Sequence, residues 1–538
     1  MKKLLILLLS LCMVFTLSAC GGSDDEEAAG GDGVLNVCLA SEPATIDPAL
    51  NSAVDGATMI QHTFEGLIKW VDDGSGKAVH AAGVAESWDI SDDGLVWTFH
   101  LRDSNWSDGE PVTANDFEYA WKRLNDPETA ADYSYMIAPV KGFGTDELAA
   151  VAIDDNTFEV TLISPCLYFE DICAFPACYP VREDIIEENG DAWITDPATY
   201  IGNGPYMMTE WVHNSYIMME KNPEYWDTEN IKCEAIKFNL MDDQNAIYAG
   251  YKNGDLDYVE DVPADEVPGL LEAGTLQFFP TLGAYYVIFQ MENAPFDDVR
   301  VREAFSLVID RNFIVDKVTG AGEKALDGFV PAGISDVDVE GDDFRTVQGP
   351  FYSIDPDDYE ANCDKARELL AEAGYENGEG FPVVEYLYNT LDSHKAIGEA
   401  LQNMWQEELG VTVTLANQEW GVFLEERKAG NFSIARGGWI GDYNDPMTFL
   451  DMFTTGNGNN DAQYANTEYD NRIDAINAEL DPEARMDFLH EAEEQLIGED
   501  VVVAPIYGYT HKYLVSEEIT GIYANLFETV FFGQCEGM

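Results

Sequence analysis

Two periodicities take turns along this chain, and no unit of it repeats. Val96 to Leu101 sets Val, Thr and His against Trp, Phe and Leu, the alternation of a half-buried strand, and Thr157 to Leu162 does the same after an Asp155-Asn156 turn. Between them Thr113 and Asp116 form an acidic capping box, opening a helix whose Phe117, Ala120, Trp121 and Leu124 share one face. Helical stripes recur at Val301, Phe305, Val308 and Ile309, and at Ala366, Leu369, Leu370 and Ala373, where Gly374 is the stop. Ile397, Leu401, Met404 and Trp405 repeat the pattern before Gly410, after which Val411 to Leu415 alternates like a strand. Asp481-Pro482 reads as an N-cap with proline in the first helical position, and Leu489, Ala492 and Leu496 supply that helix's buried stripe. Such alternation without a repeat predicts layered α/β architecture and excludes a solenoid or propeller.

The start of the chain carries a processing signal. Lys2 and Lys3 precede an apolar run from Leu4 to Leu17, too short to span a bilayer comfortably, which ends in Leu17-Ser18-Ala19-Cys20. Residues 1–19 therefore read as a leader, and the small, acidic stretch 20–33 as a flexible tether. The 519 residues left after the leader suffice for more than one hydrophobic core. With 101 Asp and Glu against 28 Lys and Arg, the chain repels nucleic acid and anionic headgroups. The plain reading of this charge is a solvated acidic surface, and a bias toward cationic ligands is the alternative.

No catalytic signature stands out. Neither G-x-S-x-G, HExxH nor a phosphate-binding G-x-x-x-x-G-K-[ST] loop occurs, and the seven histidines include no pair at metal-ligand spacing. Asp336, Asp338, Glu340 and Gly341 imitate the start of a calcium loop, but Val347 stands where its closing glutamate belongs. Of nine cysteines, Cys12 leaves with the leader and Cys20 closes it; Cys166, Cys173 and Cys178 are too widely spaced for a metal knuckle. The odd remainder of seven predicts buried free thiols. No metal, no cofactor and no enzymatic activity are expected.

A series of short motifs then appears in a fixed order. Ser41-Glu42-Pro43 and Ile46-Asp47-Pro48 lead to Phe64-Glu65-Gly66-Leu67, Gly83 to Trp88, and Trp106-Ser107-Asp108-Gly109 with Pro111 to Ala114. Gly204-Pro205-Tyr206, Asn222 to Trp226, Gly254 to Asp257, Ala294 to Arg302 and Ala435 to Pro446 follow. In these the sequence, from about Ser41 to about Leu514, resembles the peptide-binding ABC-transporter solute-binding proteins, extracellular solute-binding family 5.

That resemblance implies a periplasmic-binding-protein-like α/β fold of two lobes joined by a hinge, with an additional domain inserted in the first lobe. By position, 34–64, 194–282 and 509–538 form lobe I, 65–193 the inserted domain, and 283–508 lobe II. Leu17-Ser18-Ala19-Cys20 is similar to a lipobox, which makes Cys20 the acylated first residue of a lipoprotein facing outside the cell membrane. The implied partners are short peptides, and ABC permease subunits with their cytoplasmic ATPases. The membrane is held through the lipid anchor only, nucleic acid is no partner, and the protein is a monomer. Rival readings are a peptide-sensing surface receptor without import, a binding protein for a nickel complex, haem or oligosaccharide, and a lipoprotein hydrolase.

Carried over by position, Asp442 pairs with the peptide's α-amino group, and Gly438 and Ile440 offer main-chain groups to its backbone. Arg427 and Arg436 meet the C-terminal carboxylate, His394 lies at the same end, and Tyr133 brings a hydroxyl near the ligand backbone. Trp420 walls a side-chain pocket, and Trp439 sits within the clasp itself. Taken without the motif, Asp442 is a turn residue before an Asp445-Pro446 helix start, the arginines are surface ion-pair partners, and the tryptophans are core aromatics. Two departures stand out. The acidic stretch 327–342 lacks the lysine that a relative keeps near its carboxylate subsite, and Gly283 and Ile440 occupy the places of that relative's disulfide.

Overall fold

The computed structural model describes residues 33–538 apart from 40, 75–77, 280 and 337–342. The leader, Cys20 and nearly all of the tether lie outside the described residues, as do Asp338, Glu340 and Gly341. Asp336 itself is buried and accepts from His490 Nε2 at 2.8 Å.

Three sheets organise the chain. A seven-stranded sheet runs in the order Gln277–Phe279, His511–Val515, Tyr258–Val259, Val34–Cys38, Ala235–Asn239, Tyr216–Lys221 and Tyr206–Val212. A six-stranded sheet runs Lys324–Ala325, Val503–Gly508, Gly283–Phe289, Ile434–Ile440, Val384–Asn389 and Val413–Gln418. The third is antiparallel and four-stranded: Ala85–Ile90, Val96–Leu101, Thr157–Thr161 and Ala150–Asp154. The first two are the cores of two lobes and the third belongs to the inserted domain.

The chain leaves the first lobe's sheet after Phe279 and returns to it between Gly508 and His511. These crossings lie side by side, since Phe279 faces His511 across the sheet and the Tyr509 N–H donates to Gly283 O at 3.0 Å.

Local signals place most elements where the sequence predicts them. The Thr113 N–H donates to Asp116 Oδ2 at 2.7 Å, closing the capping box of helix Ala114–Asn125, whose four striped residues are all buried. Asp481 caps helix Pro482–Glu493 by accepting from the Ala484 N–H. Gly410 ends helix Asp392–Leu409 at φ +69°, a conformation without a Cβ penalty. Ends shift where tertiary pairing decides. The strand expected at 411–415 runs Val413–Gln418, because its parallel partner sets Val384 opposite Val413. Helix Val299–Leu307 stops short of Val308 and Ile309, where Asp310 turns to cap the next helix through the Phe313 N–H (2.9 Å). Cys173, Cys178, Cys233, Cys363 and Cys535 are free and buried, and Cys166 is free and partly buried.

Several ordered motifs meet in buried polar networks. Asp47, 2 % exposed, accepts from both Arg123 amines (2.8 and 2.6 Å) and from Trp193 Nε1 (3.1 Å), tying helix Ala114–Asn125 of the inserted domain to the first lobe. Glu65 likewise accepts from Trp226 Nε1 (2.7 Å) and the Tyr225 hydroxyl. Removing one partner of such a pair leaves the other charge desolvated and alone. Asp47→Ala is therefore expected to destabilise the protein by about 3–5 kcal/mol, read from urea unfolding.

Candidate functional site

One cleft of about 410 Å³ lies between the lobes, and its floor is the strand Ile434–Ile440. This strand pairs antiparallel with Gly283–Phe289 along its whole length, Gly283 opposite Ile440, but with Val384–Asn389 only at Ile434 and Ala435. The Gly441 N–H donates to Leu282 O at 2.8 Å. Antiparallel pairs alternate, so the main-chain groups of Gly438 and Ile440 point away from Gly283–Phe289, to an edge along which no strand runs beyond Ala435. The glycines are steric necessities: a Cβ at 437 would lie 2.4 Å from the Tyr286 ring, and one at 438 would lie 2.4 Å from Tyr509 Oη.

All nine residues that the sequence singles out line this cleft: Tyr133, His394, Trp420, Arg427, Arg436, Gly438, Trp439, Ile440 and Asp442. Asp442 follows the strand and is 6 % exposed. Its Oδ1 accepts from the Tyr133 hydroxyl (3.3 Å) and its N–H donates to Thr448 Oγ1 (2.8 Å), while Oδ2 is buried without a hydrogen-bond partner. Burial, and after it the neighbouring Asp451 carboxylate, push the Asp442 carboxyl well above the usual carboxylate range. Asp445, by contrast, is bound by both Arg485 amines (2.8 and 2.9 Å) and starts the short helix Met447–Leu450 by accepting from the Met447 N–H (3.0 Å). The turn role belongs to Asp445, and Asp442 is the carboxylate left facing the cleft.

The two arginines differ. Arg427 Nε already meets Asp461 at 2.6 Å. Arg436 donates only to the Tyr509 hydroxyl (3.1 Å), leaves its buried Nε without a partner, and makes no ion pair among the described residues. His394 sits in the first turn of helix Asp392–Leu409, 3.4 Å from the Tyr285 hydroxyl, and burial followed by the Arg436 charge holds its imidazole well below the usual range. It is therefore neutral, a hydrogen-bonding group rather than a charge. Tyr133 stacks on Trp439 at 6.1 Å between ring centres.

Contacts across the cleft draw on residues the sequence gave no reason to choose. Trp420 Nε1 donates to Asp55 Oδ2 (3.1 Å) on helix Val54–Thr63, which packs with the seven-stranded sheet. Lys428 Nζ meets Asp132 (2.6 Å), and Tyr168 stacks on Tyr443 at 4.1 Å. Asp55, Asp451, Asp461 and Tyr509 carry no periodicity or motif that marks them. The cleft brings Asp55, Asp461 and Tyr509 together, and Asp451 acts on it through Asp442.

The family model for bacterial extracellular solute-binding proteins, family 5 (middle), matches residues 81–461. The dipeptide-binding protein DppE of Bacillus subtilis is 35 % identical over 97 % of this chain and 96 % of its own length. The chain belongs to this family. Its members are substrate-binding proteins and not enzymes, and their fold is the one described above. The structure of Haemophilus influenzae OppA in complex with RPPGFSPFR superimposes with a TM-score of 0.87, at 31 % identity, over 94 % of this chain and 99 % of that one. A structure of the Escherichia coli murein tripeptide binding protein MppA also superimposes with a TM-score of 0.87 at 32 % identity, over 94 % of this chain, whereas its unliganded open form reaches only 0.61 over the same share. The family 5 chain described here is therefore in a closed arrangement, as the cross-cleft contacts require.

Burial also pushes Asp451 up to about 7 and Asp55 to about 6. A carboxyl raised in the folded state binds its proton more tightly there than in the unfolded chain. The stability this confers is full below about pH 4 and is lost as pH rises through the folded value. The ligand-free protein should thus lose stability from pH 4 to pH 8. Asp451→Asn should match it near pH 4 and exceed it at pH 8, by no more than about 4 kcal/mol, in melts across that range.

Proposed function

We propose that this protein captures short peptides outside the cell and delivers them to an ABC importer. The observation that carries the reading is the Asp442 carboxylate, buried at one end of the cleft strand with Oδ2 unpartnered and no ion pair to a cation among the described residues. A buried carboxylate without a cation is unfavourable unless a ligand brings one. Arg436 offers the opposite charge further back along the same strand, with no carboxylate among the described residues to hold it. Between them the free edge at Gly438 and Ile440 suits an extended main chain, whose N–H and C=O groups every peptide shares. A zwitterion with a peptide backbone answers all three features at once.

In this reading Tyr133 steadies Asp442, and Trp420 and Trp439 wall the side-chain pockets. His394 adds a neutral hydrogen bond near the carboxylate, and Arg427 acts at longer range because Asp461 already holds it. The names of the relatives, dipeptide-binding for DppE and oligopeptide-binding for a Salmonella typhimurium protein 35 % identical over 89 % of this chain, support the substrate class. We assign lobe I to 34–64, 194–282 and 509–538, the inserted domain to 65–193 and lobe II to 283–508. Each of the three main sheets draws its strands from one of these sets. Cys20 is the acylated N-terminus that holds a monomer at the outer membrane face, and the permease with its ATPases receives the closed form.

Binding of the ammonium group should expel the proton that burial favours on Asp442, so affinity falls as pH drops. Asp442→Ala is expected to weaken peptide binding by about 2–5 kcal/mol. N-acetylating the peptide should produce a similar loss in the wild type, and the two losses should not add in full. Calorimetry on this double cycle decides the matter. Equal affinity of acetylated and free peptides for the wild type would remove Asp442 as the ammonium anchor.

A further inference from the structure

The cleft holds more negative charge than the anchoring of a zwitterion uses. Of the carboxylates lining it besides Asp442, Asp55 accepts from Trp420 Nε1 at 3.1 Å, Asp171 is engaged by His80 at 3.0 Å and Asp461 by Arg427 at 2.6 Å. Three others, Glu260, Asp261 and Glu528, gather on the first lobe about the strand His511–Val515, and Glu323 reaches them from the second lobe. That strand pairs with Tyr258–Val259 on one side and Gln277–Phe279 on the other, so Glu260 and Asp261 flank it on one edge. Thr281, which donates to Glu528 Oε1 at 3.1 Å, brings Glu528 to the other. His511 Nε2 takes Glu260 (3.0 Å), and Lys512 Nζ lies 4.0 Å from Glu323. Neither Asp261 nor Glu528 makes an ion pair among the described residues; they accept only from Gln244 Nε2 (3.2 Å) and Thr281 Oγ1.

Two observations separate this wall from a solvated acidic surface. Gln61, 9 % exposed and on the cleft wall, donates from Nε2 to Thr529 Oγ1 (3.1 Å), the residue after Glu528, and leaves its buried Oε1 without a partner. Glu528 itself stands at φ +59°, on a turn closed by Asn525 Oδ1, which accepts from the Phe527 and Thr529 N–H groups at 3.0 Å. Side-chain-bearing residues seldom adopt that backbone, and here it directs a carboxylate into the cleft. Lys512 Nζ, 4.0 Å from Glu323, also acts on Asp261 and Glu528, so a single ammonium serves three carboxylates and acceptors are in excess on this wall.

We propose that Glu528, Asp261 and Gln61 form a subsite for a cationic side chain of the bound peptide, a lysine ammonium or an arginine guanidinium. The two carboxylates meet its charge and Gln61 Oε1 accepts one of its hydrogen bonds. The subsite rests on the peptide reading above and narrows it to peptides that carry a basic residue. Burial raises the carboxyls of Asp261 and Glu528, so an entering cation displaces protons that they would otherwise keep.

Calorimetry with tripeptides such as Ala-Lys-Ala and Ala-Ala-Lys, each against its norleucine counterpart of nearly equal length and no charge, tests this. At one position lysine should bind at least about tenfold more tightly than norleucine, which corresponds to about 1.4 kcal/mol. In the double variant Glu528→Gln with Asp261→Asn that advantage should shrink to less than about threefold. The norleucine peptide should keep its wild-type Kd, which controls for folding. Equal binding of lysine and norleucine peptides at every position overturns the subsite, as does an advantage that survives the double substitution. If neither kind of peptide binds, the peptide reading itself has failed.

Discussion

The site depends on a strand that is hydrogen-bonded along its full length on one side and for only two residues on the other. Ile434–Ile440 lies inside a six-stranded sheet, yet Val384–Asn389 leaves it after Ala435. Unpaired main-chain groups in the body of a lobe must find partners. Tyrosines, tryptophans and charges from both lobes and from the inserted domain cover this edge rather than another strand. The cleft is where a sheet has been left one strand short, and the side chains around it follow from that.

Charge placement gives the edge a direction. Asp442 and Arg436 are separated along one strand and each lacks a counter-ion among the described residues, whereas nearby Asp445 and Arg427 have theirs in Arg485 and Asp461. This division distinguishes groups that hold the fold from groups that face a ligand. Closure draws on polar and aromatic contacts together. The Trp420–Asp55 hydrogen bond, the Lys428–Asp132 pair, the buried Tyr133–Asp442 contact and the Tyr168–Tyr443 stack bridge the cleft, and a half-exposed pair such as Lys428–Asp132 contributes about 1 kcal/mol or less. Such contacts favour the closed form without locking it.

The ordered motifs that mark the family divide in the same way. Ile46-Asp47-Pro48, Phe64-Glu65-Gly66 and Asn222 to Trp226 converge on the Asp47 and Glu65 networks, which join the inserted domain to the first lobe and never reach the ligand edge. Ala435 to Pro446 contributes to both fold and cleft. Its glycines pass under Tyr286 and Tyr509 and its single arginine reaches into the pocket.

Local physics let the sequence determine the elements. Caps at Thr113 and Asp481, the stop at Gly410 and the stripes of the long helices need only neighbours within a turn or two. The sequence motifs also named the nine cleft residues, through resemblance rather than through periodicity. Asp442 and Asp445 are three positions apart and chemically identical, and nothing local says which of them turns the chain. Tertiary structure decided that by setting Arg485 against one and leaving the other beside Tyr133. It also decided that Arg427 is paired and Arg436 is not, where the strand after Gly410 begins, and that Glu528 and Asp261, far apart in the chain, share a wall. Counter-ion assignment, register and cleft walls are contacts between distant segments, and no local pattern encodes which segment will arrive.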